Sequence, residues 1–172
     1  MFKRLAARFA LVSSLVLMTA APAQARAWQC APYARLVSGI KIFGNAHTWW
    51  DQAAGRYGRG AKPKVGAVMA MAQTARMRLG HVATVKEIVS DREVILDHAN
   101  WTRRGGVERA ARAVDVSAAG DWSEVKVTFG RALGTSTYPT HGFIYSGSDG
   151  AEQPVRMASK GGPRGLSTLV AE

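Results

Sequence analysis

The chain of 172 residues contains a single cysteine, Cys30, and this excludes an internal disulfide. Acidic residues are also scarce: 12 Asp and Glu stand against 23 Lys and Arg, and the formal net charge is +11. An excess of this size favours a polyanionic partner, whether nucleic acid, anionic lipid or an acidic wall polymer. No internal repeat is present, and the 47% share of hydrophobic residues is enough to build an ordinary globular core.

Long hydrophobic runs are also missing. The amino-terminal run, Phe9 to Ala21, is shorter than the roughly 20 residues of a membrane span. It follows three basic residues and leads into Ala23-Gln24-Ala25, which is the pattern of a secretory signal peptide. We therefore expect residues 1–25 to be a signal peptide, with cleavage after Ala27 as an alternative. The product is expected to be exported, periplasmic or extracellular, with no stable membrane insertion after cleavage; an uncleaved anchor is the less favoured reading.

The remaining sequence predicts one domain over residues 26–146 and a flexible tail over residues 147–172, where Gly, Ser, Pro and charge dominate. Two helices come first, and strands follow. The predicted helices are Ala31–Val37 and His47–Ala54, and the predicted strands are Val65–Met71, Gly80–Val89, Glu93–His98, Glu124–Phe129 and His141–Tyr145. Helices followed by antiparallel strands favour an α+β fold.

An unpaired cysteine in an exported protein suggests a reactive thiol or an intermolecular bridge. Cys30 lies where the first predicted helix begins, and the partial positive charge there favours the thiolate. The plain alternative is a small, buried structural residue. Lipid attachment is disfavoured, because the bulky pair Trp28-Gln29 precedes the cysteine.

A nucleophilic cysteine needs a base within hydrogen-bond reach and a partner that orients the base. Among the histidines, His81 opens a predicted strand directly after Gly80, and antiparallel pairing can bring it near His98 or Asn100. Asp97 points to the opposite face of the strand from His98, unless the strand is bulged. The four histidines are His47, His81, His98 and His141.

Two other chemistries are weighed against this reading. His81, Asp97 and His98 have no recognised metal-ligand spacing, so we expect neither a metal site nor a cofactor. Basic residues interleave with aromatics around Tyr57 and Trp101, a pattern that also occurs in nucleic-acid-binding proteins. Together with a secretory signal, the pattern favours an anionic wall polymer, and we predict no nucleic-acid partner.

Several segments, taken in order, resemble a known family. They resemble the CHAP domain, the cysteine, histidine-dependent amidohydrolase/peptidase, from about Trp28 to Trp101. The segments are Gln29-Cys30-Ala31-Pro32-Tyr33-Ala34-Arg35, Ser38-Gly39, Gly44-Asn45-Ala46, Trp50, Pro63-Lys64-Val65-Gly66-Ala67-Val68, Gly80-His81-Val82-Ala83-Thr84-Val85 and Asn100-Trp101.

The resemblance implies a papain-like fold, in which N-terminal helices pack on an antiparallel β-sheet. It also implies that Cys30 attacks an amide carbonyl and that His81 acts as general base and then as acid for the leaving amine. Gln29, directly before the nucleophile, is expected to help bind the oxyanion.

The third catalytic position departs from the family pattern. His98 stands where many CHAP domains have a glutamate, two residues before the asparagine. A neutral His98 can accept a hydrogen bond from His81 and select its tautomer. Asn100 is the second candidate for this role and Asp97 the third.

The implied function is that of a secreted, monomeric hydrolase that cuts amide bonds in peptidoglycan. It would act as a muramoyl-alanine amidase or as a stem or cross-link endopeptidase, through an acyl-enzyme intermediate. The main alternative is a non-catalytic cell-wall-binding module on the same fold, which the unusual His98 motivates. An envelope-linking protein bridged through Cys30 and an acyl transferase are further alternatives.

Overall fold

The computed structural model describes residues 27–147, so the predicted signal peptide and all but one residue of the predicted tail lie outside the described part. Within this range no helix has the length and apolar character needed to cross a bilayer. The helices are α1 (Cys30–Ser38), a 3-10 helix (Ala46–Thr48) and α2 (Trp49–Ala53). The strands are β1 (Gly58–Gly60), β2 (Val68–Met71), β3 (His81–Ser90), β4 (Glu93–Ala99), β5 (Val107–Asp115), β6 (Glu124–Phe129), β7 (Ala132–Leu133) and β8 (Tyr138–Tyr145).

Six of the strands form a closed antiparallel barrel. The pairing runs β8-β2-β3-β4-β5-β6 and returns to β8. The two ends of β8 make the closure: Ile144 pairs with Val68 of β2, and Tyr138 pairs with Val125 of β6. The short strands β1 and β7 add to β8 and β6 respectively.

The predicted α+β, papain-like fold with N-terminal helices on a sheet is therefore wrong. Residues 27–147 form mostly a six-stranded antiparallel β-barrel, and the two α-helices in this range have only nine and five residues. Two features explain why the sequence did not predict the barrel. Strand β5 is rich in Ala, Arg and Glu, which favour helices, so it was not predicted. The closure through β8 joins residues that are distant in the chain, and no local pattern encodes it.

Two apolar layers share strand β2. Met69 and Met71 point into the barrel, while Val68 and Ala70 point toward the helices, because successive side chains of a strand face opposite sides. All four residues of β2 are buried. The barrel interior also holds Leu96, Val127 and Phe143, and the helix-side layer holds Ala34, Ile42 and Trp49.

Helix α1 packs against β3 and β4, and a hydrogen bond ties it there. The Tyr33 hydroxyl donates to Oδ1 of Asp97 on β4 at 2.8 Å. The helix ends at Gly39, whose left-handed backbone (φ 76°) lets its N–H donate to the Arg35 carbonyl. The docking holds Cys30, the first residue of α1, close to the start of β3.

Candidate active site

Cys30 lies at the meeting point of two cavities. The larger, of about 510 Å³, is lined by Gln29, Cys30, His81 and Asn100 among others. The second, of about 390 Å³, shares Gln29 and Cys30 with it. Four of the sequence-predicted site residues thus open onto one cavity, and the space continues on both sides of the thiol.

The thiol of Cys30 is half-buried, and burial decides its charge state. Burial raises the pKa of the Cys30 thiol, and hydrogen bonding to the backbone of Val82, Ala31 and Cys30 itself lowers it by a smaller amount. The helix start, which favours the thiolate, is therefore opposed at this site by the burial of the sulfur. The resting site holds a neutral thiol, which needs a base to remove its proton during attack.

Gly80 determines where the base-bearing strand begins. Its φ is +65°, and a Cβ at this position would lie 2.9 Å from the His47 backbone nitrogen and 3.0 Å from the Met71 carbonyl oxygen. Only glycine fits such a close approach without displacing backbone. The turn therefore presses against the 3-10 helix and places His81 on the cavity wall.

His81 and His98 form a buried pair. Nε2 of His81 lies 3.0 Å from Nδ1 of His98, and the rings are nearly perpendicular, at 85°. The Trp101 ring lies 4.7 Å from the His81 ring and 5.8 Å from the His98 ring, centroid to centroid, and covers both. His81 is 4% exposed and His98 is 1% exposed. Of the three candidates for orienting His81, His98 is the one that contacts it.

Both histidines are held neutral. Burial lowers the pKa of His81 well below 6.5, and the neighbouring His98 lowers it further. Burial also lowers the pKa of His98 to about 4, although the carboxylates of Glu108 and Asp97 act in the opposite direction. A neutral imidazole is the form that can accept the proton of a thiol.

Asn100 uses its amide elsewhere than on His81. Its Oδ1 accepts from the Gly105 N–H at 2.8 Å, and its Nδ2 donates to Oε1 of Gln29 at 3.0 Å. Asn100 has a left-handed backbone (φ 62°), which asparagine tolerates better than most residues. The hydrogen bond from Asn100 occupies Oε1 of Gln29. Nε2 of Gln29 therefore remains as the donor of this amide.

Asp97 lies on the helix side of β4. The register of β4 on β5 shifts between Leu96 and His98, so the bulge that would allow Asp97 to turn is present. Even so, Oδ1 of Asp97 accepts from the Tyr33 hydroxyl at 2.8 Å. Its structural role is to hold α1 on the barrel.

The other two histidines lie apart from the cavities around Cys30. His47 is in the 3-10 helix, where its backbone N–H donates to the Leu79 carbonyl. His141 stacks on Trp50 with ring centroids 5.9 Å apart. Among residues 27–147, no group of three or more His, Cys, Asp or Glu side chains is arranged to hold a metal ion.

Sequence reasoning missed most of the cavity wall. The loop between β2 and β3 contributes Arg76 and Arg78, and Arg35 lines the second cavity. Among residues 27–147, no acidic residue lines either of these two cavities. Arg76 and Arg78, spaced before Gly80, were the sequence signal for a basic cavity wall. Their position beside Cys30 depends on the path of the loop between β2 and β3, which the sequence does not show. Apolar lining residues that were also missed are Met77, Leu79, Trp101, Phe129 and Tyr138.

The buried neutral histidines predict an acid-sensitive fold. Unfolded His98 regains a pKa near 6.5, so below that pH the unfolded chain binds more protons than the folded one, and stability falls as the pH drops toward 4. Between pH 7 and pH 5 we expect His98 alone to account for a loss of about 2 kcal/mol in the free energy of unfolding. His81 acts in the same direction.

Urea unfolding followed by tryptophan fluorescence measures this slope. The variant His98→Gln should show a flatter dependence on pH than the wild type, whatever its stability at pH 7. Equal slopes for the two proteins between pH 7 and pH 5 would contradict the assignment of the acid sensitivity to His98.

Residues 21–100 match a protein-family model described as the CHAP domain. This match confirms the resemblance to the CHAP domain that the ordered motifs predicted. The matched segment ends just after β4, so strands β5 to β8 lie beyond it. No curated protein matches the chain significantly.

Proposed function

We propose that this CHAP-domain protein is an exported cysteine hydrolase that cleaves amide bonds in peptidoglycan. The carrying observation is that Cys30, Gln29 and His81 share one cavity, with His81 hydrogen-bonded to His98 behind it. A nucleophile, an oriented base and an amide donor are the groups that acyl transfer requires. CHAP domains are generally amidases or peptidases, which fits this set of groups.

The proposed reaction starts from a neutral pair. His81 takes the proton from the Cys30 thiol as the sulfur attacks the amide carbonyl carbon. As the carbonyl oxygen becomes negatively charged, it accepts a hydrogen bond from Nε2 of Gln29. Asn100 supports the orientation of this amide by donating to Oε1 of Gln29. His81 then gives its proton to the departing amine, and a thioester remains on Cys30.

Water completes the cycle. His81, neutral again, removes a proton from a water molecule as that water attacks the thioester, and the thiol of Cys30 is restored with release of a carboxylic acid. Trp101 shields the histidine pair from bulk solvent, which keeps the imidazoles neutral between steps.

The charge of the cleft supports a wall-peptide substrate. Arg76 and Arg78 stand on one side of Cys30 and Arg35 on the other, and no acidic residue in the described part of the chain lines either cavity. Peptidoglycan stems carry free carboxylates along a short peptide, and guanidinium groups bind carboxylates well. The basic excess of the whole chain adds longer-range attraction to an anionic polymer.

Product analysis tests the proposal directly. Purified peptidoglycan is incubated with the protein, and the released fragments are identified by mass spectrometry. We expect fragments with new amino groups, each cut adding one water, and intact glycosidic bonds. A free alanine amino group on the stem identifies an amidase, and an amine within the stem or cross-link identifies an endopeptidase.

Alkylation with iodoacetamide provides the matched control, because the chain has one thiol. It should stop fragment release. A protein that sediments with the wall but releases no fragments would instead be the non-catalytic binding module. Release that survives complete alkylation would exclude the thiol mechanism.

A further inference from the structure

The two ring nitrogens of His98 have different surroundings. Its Nδ1 faces His81, while its Nε2 is buried and has no hydrogen-bond partner at normal distance among the described residues. A buried polar atom left without a hydrogen bond costs free energy.

The carboxylate of Glu108 stands close to this nitrogen. It sits directly across from His98 in the β4–β5 register, and its Oε2 lies 3.9 Å from Nε2 of His98. The glutamate side chain is 22% exposed, so most of it is withdrawn from solvent. At this distance the contact is electrostatic rather than a formed hydrogen bond.

Glu108 is held in place from the other side. The Thr102 N–H donates to Oε1 at 2.8 Å, and the Thr102 hydroxyl donates to Oε2 at 2.9 Å. Both carboxylate oxygens are therefore anchored by one residue of the loop after β4. An anchored carboxylate loses little further freedom when it acts on its neighbour.

The proton positions follow from this chain of contacts. A carboxylate can only accept, so Glu108 favours a proton on Nε2 of His98. Nδ1 of a neutral His98 is then an acceptor, and Nε2 of His81 must donate to it at 3.0 Å. The lone pair of His81 is left on Nδ1, available to the thiol proton.

We propose that Glu108 is a positioning residue, which acts through His98 to select the tautomer of His81 that can deprotonate Cys30. Many CHAP domains have a glutamate at the position of His98, where its negative charge would lie next to the catalytic base. In this chain Glu108 supplies the negative charge from behind His98. This inference rests on the proposed hydrolase function.

When Cys30 attacks, its proton moves to His81 and no proton reaches the carboxylate of Glu108. The S–H bond of Cys30 breaks and an N–H bond forms on Nδ1 of His81. The sulfur electron pair forms the bond to the carbonyl carbon, while the π bond of the carbonyl breaks and its electron pair moves to the oxygen. The positive charge on the imidazolium of His81 is stabilised across His98 by the negative charge of Glu108. His98 keeps its own proton on Nε2 throughout.

Histidine NMR tests the inference independently of catalysis. In the wild-type protein at pH 7, nitrogen shifts should report the Nε2–H tautomer for His98. The groups whose charge acts on this ring are His81 on β3, Asp97 on β4 and Glu108 on β5. Removing the Glu108 charge with Glu108→Gln should lower the His98 pKa further below about 4, because that carboxylate raises it.

Glu93→Gln is the matched control. Glu93 also lies on the β4–β5 hairpin, but its carboxylate is paired with Arg112 through contacts of 2.6 and 2.9 Å. The same change of charge there should leave the tautomer and the pKa of His98 unchanged. An Nδ1–H tautomer in the wild type, or equal effects of the two variants, would overturn the inference.

Kinetics on peptidoglycan fragments give the second readout. Glu108→Gln should lower kcat about tenfold with little change in KM, and it should move the acid limb of kcat/KM to lower pH. A merely structural role would leave the acid limb in place and would lower the melting temperature. If the wild type binds but does not cleave, the proposed function fails, and the NMR result alone then decides the role of Glu108.

Discussion

Replacing Cys30 with alanine is expected to lower kcat/KM for peptidoglycan by on the order of 10³-fold or more. Alanine removes the sulfur that would form the thioester, and the structure offers no second thiol, because the chain has one cysteine. Cys30 is half-buried at the start of α1, where alanine fits without strain. We therefore expect the melting temperature to stay within about 4 °C of the wild type.

Two further variants sharpen this experiment. Cys30→Ser keeps the shape of the side chain but supplies a hydroxyl, which is much harder to deprotonate, and it should be as inactive as alanine. His141→Gln changes a histidine that lies outside both cavities, and it should retain wild-type activity. Fragment release by Cys30→Ala at the wild-type rate would place the chemistry elsewhere.

Gly80→Ala is expected to damage both the fold and the site. The added Cβ would lie 2.9 Å from the His47 nitrogen and 3.0 Å from the Met71 carbonyl oxygen, and both are backbone atoms that cannot rotate away. The left-handed backbone at φ +65° adds a further penalty for any residue with a Cβ. Together we expect a loss of about 3 kcal/mol in the free energy of unfolding.

The same substitution should reach the chemistry, since His81 follows directly. Relief of the close contacts requires the turn to move, and a displacement of about 1 Å in a catalytic group can cost about 10²-fold in rate. We expect the folded fraction of Gly80→Ala to show a kcat reduced on that order. The folded fraction is measured by circular dichroism, and the activity is divided by that fraction.

Gly66→Ala separates the effect of the left-handed backbone from the effect of the close contacts. Gly66 also has a left-handed backbone, at φ +84°, but a Cβ there meets nothing within 4 Å. It should therefore cost only the conformational part, about 1 kcal/mol, and leave activity unchanged. Equal losses for the two glycines would mean that the close approach at Gly80 has no energetic effect.

Local patterns predicted most individual elements well. The helix predicted over Ala31–Val37 appears as Cys30–Ser38, and the strand predicted over Glu93–His98 appears as Glu93–Ala99. Both signals are short-range: a glycine stop for the helix, and a turn followed by apolar alternation for the strand. The domain limits and the signal peptide stay predictions, since they depend on residues outside the described range.

The site was predictable as a set of residues but not as a network. Gln29, Cys30 and His81 belong to motifs with a characteristic order, so the sequence predicts them as candidate site residues. Their neighbours could not be assigned in the same way. Whether His98, Asn100 or Asp97 contacts His81 depends on which face of β4 each side chain occupies, and a single register shift on β5 changes that face.

Sequence alone predicted the candidate site residues and the resemblance to the CHAP domain, because a lone cysteine, a histidine directly after a glycine and their order along the chain are local features. Only the tertiary structure decided that the strands close into a barrel, that burial keeps Cys30 and His81 neutral, and that Glu108 stands behind His98. The physical reason is common to all three. Strand closure, desolvation and cross-strand charge depend on contacts between residues that are far apart in the chain, and local propensity carries no information about them.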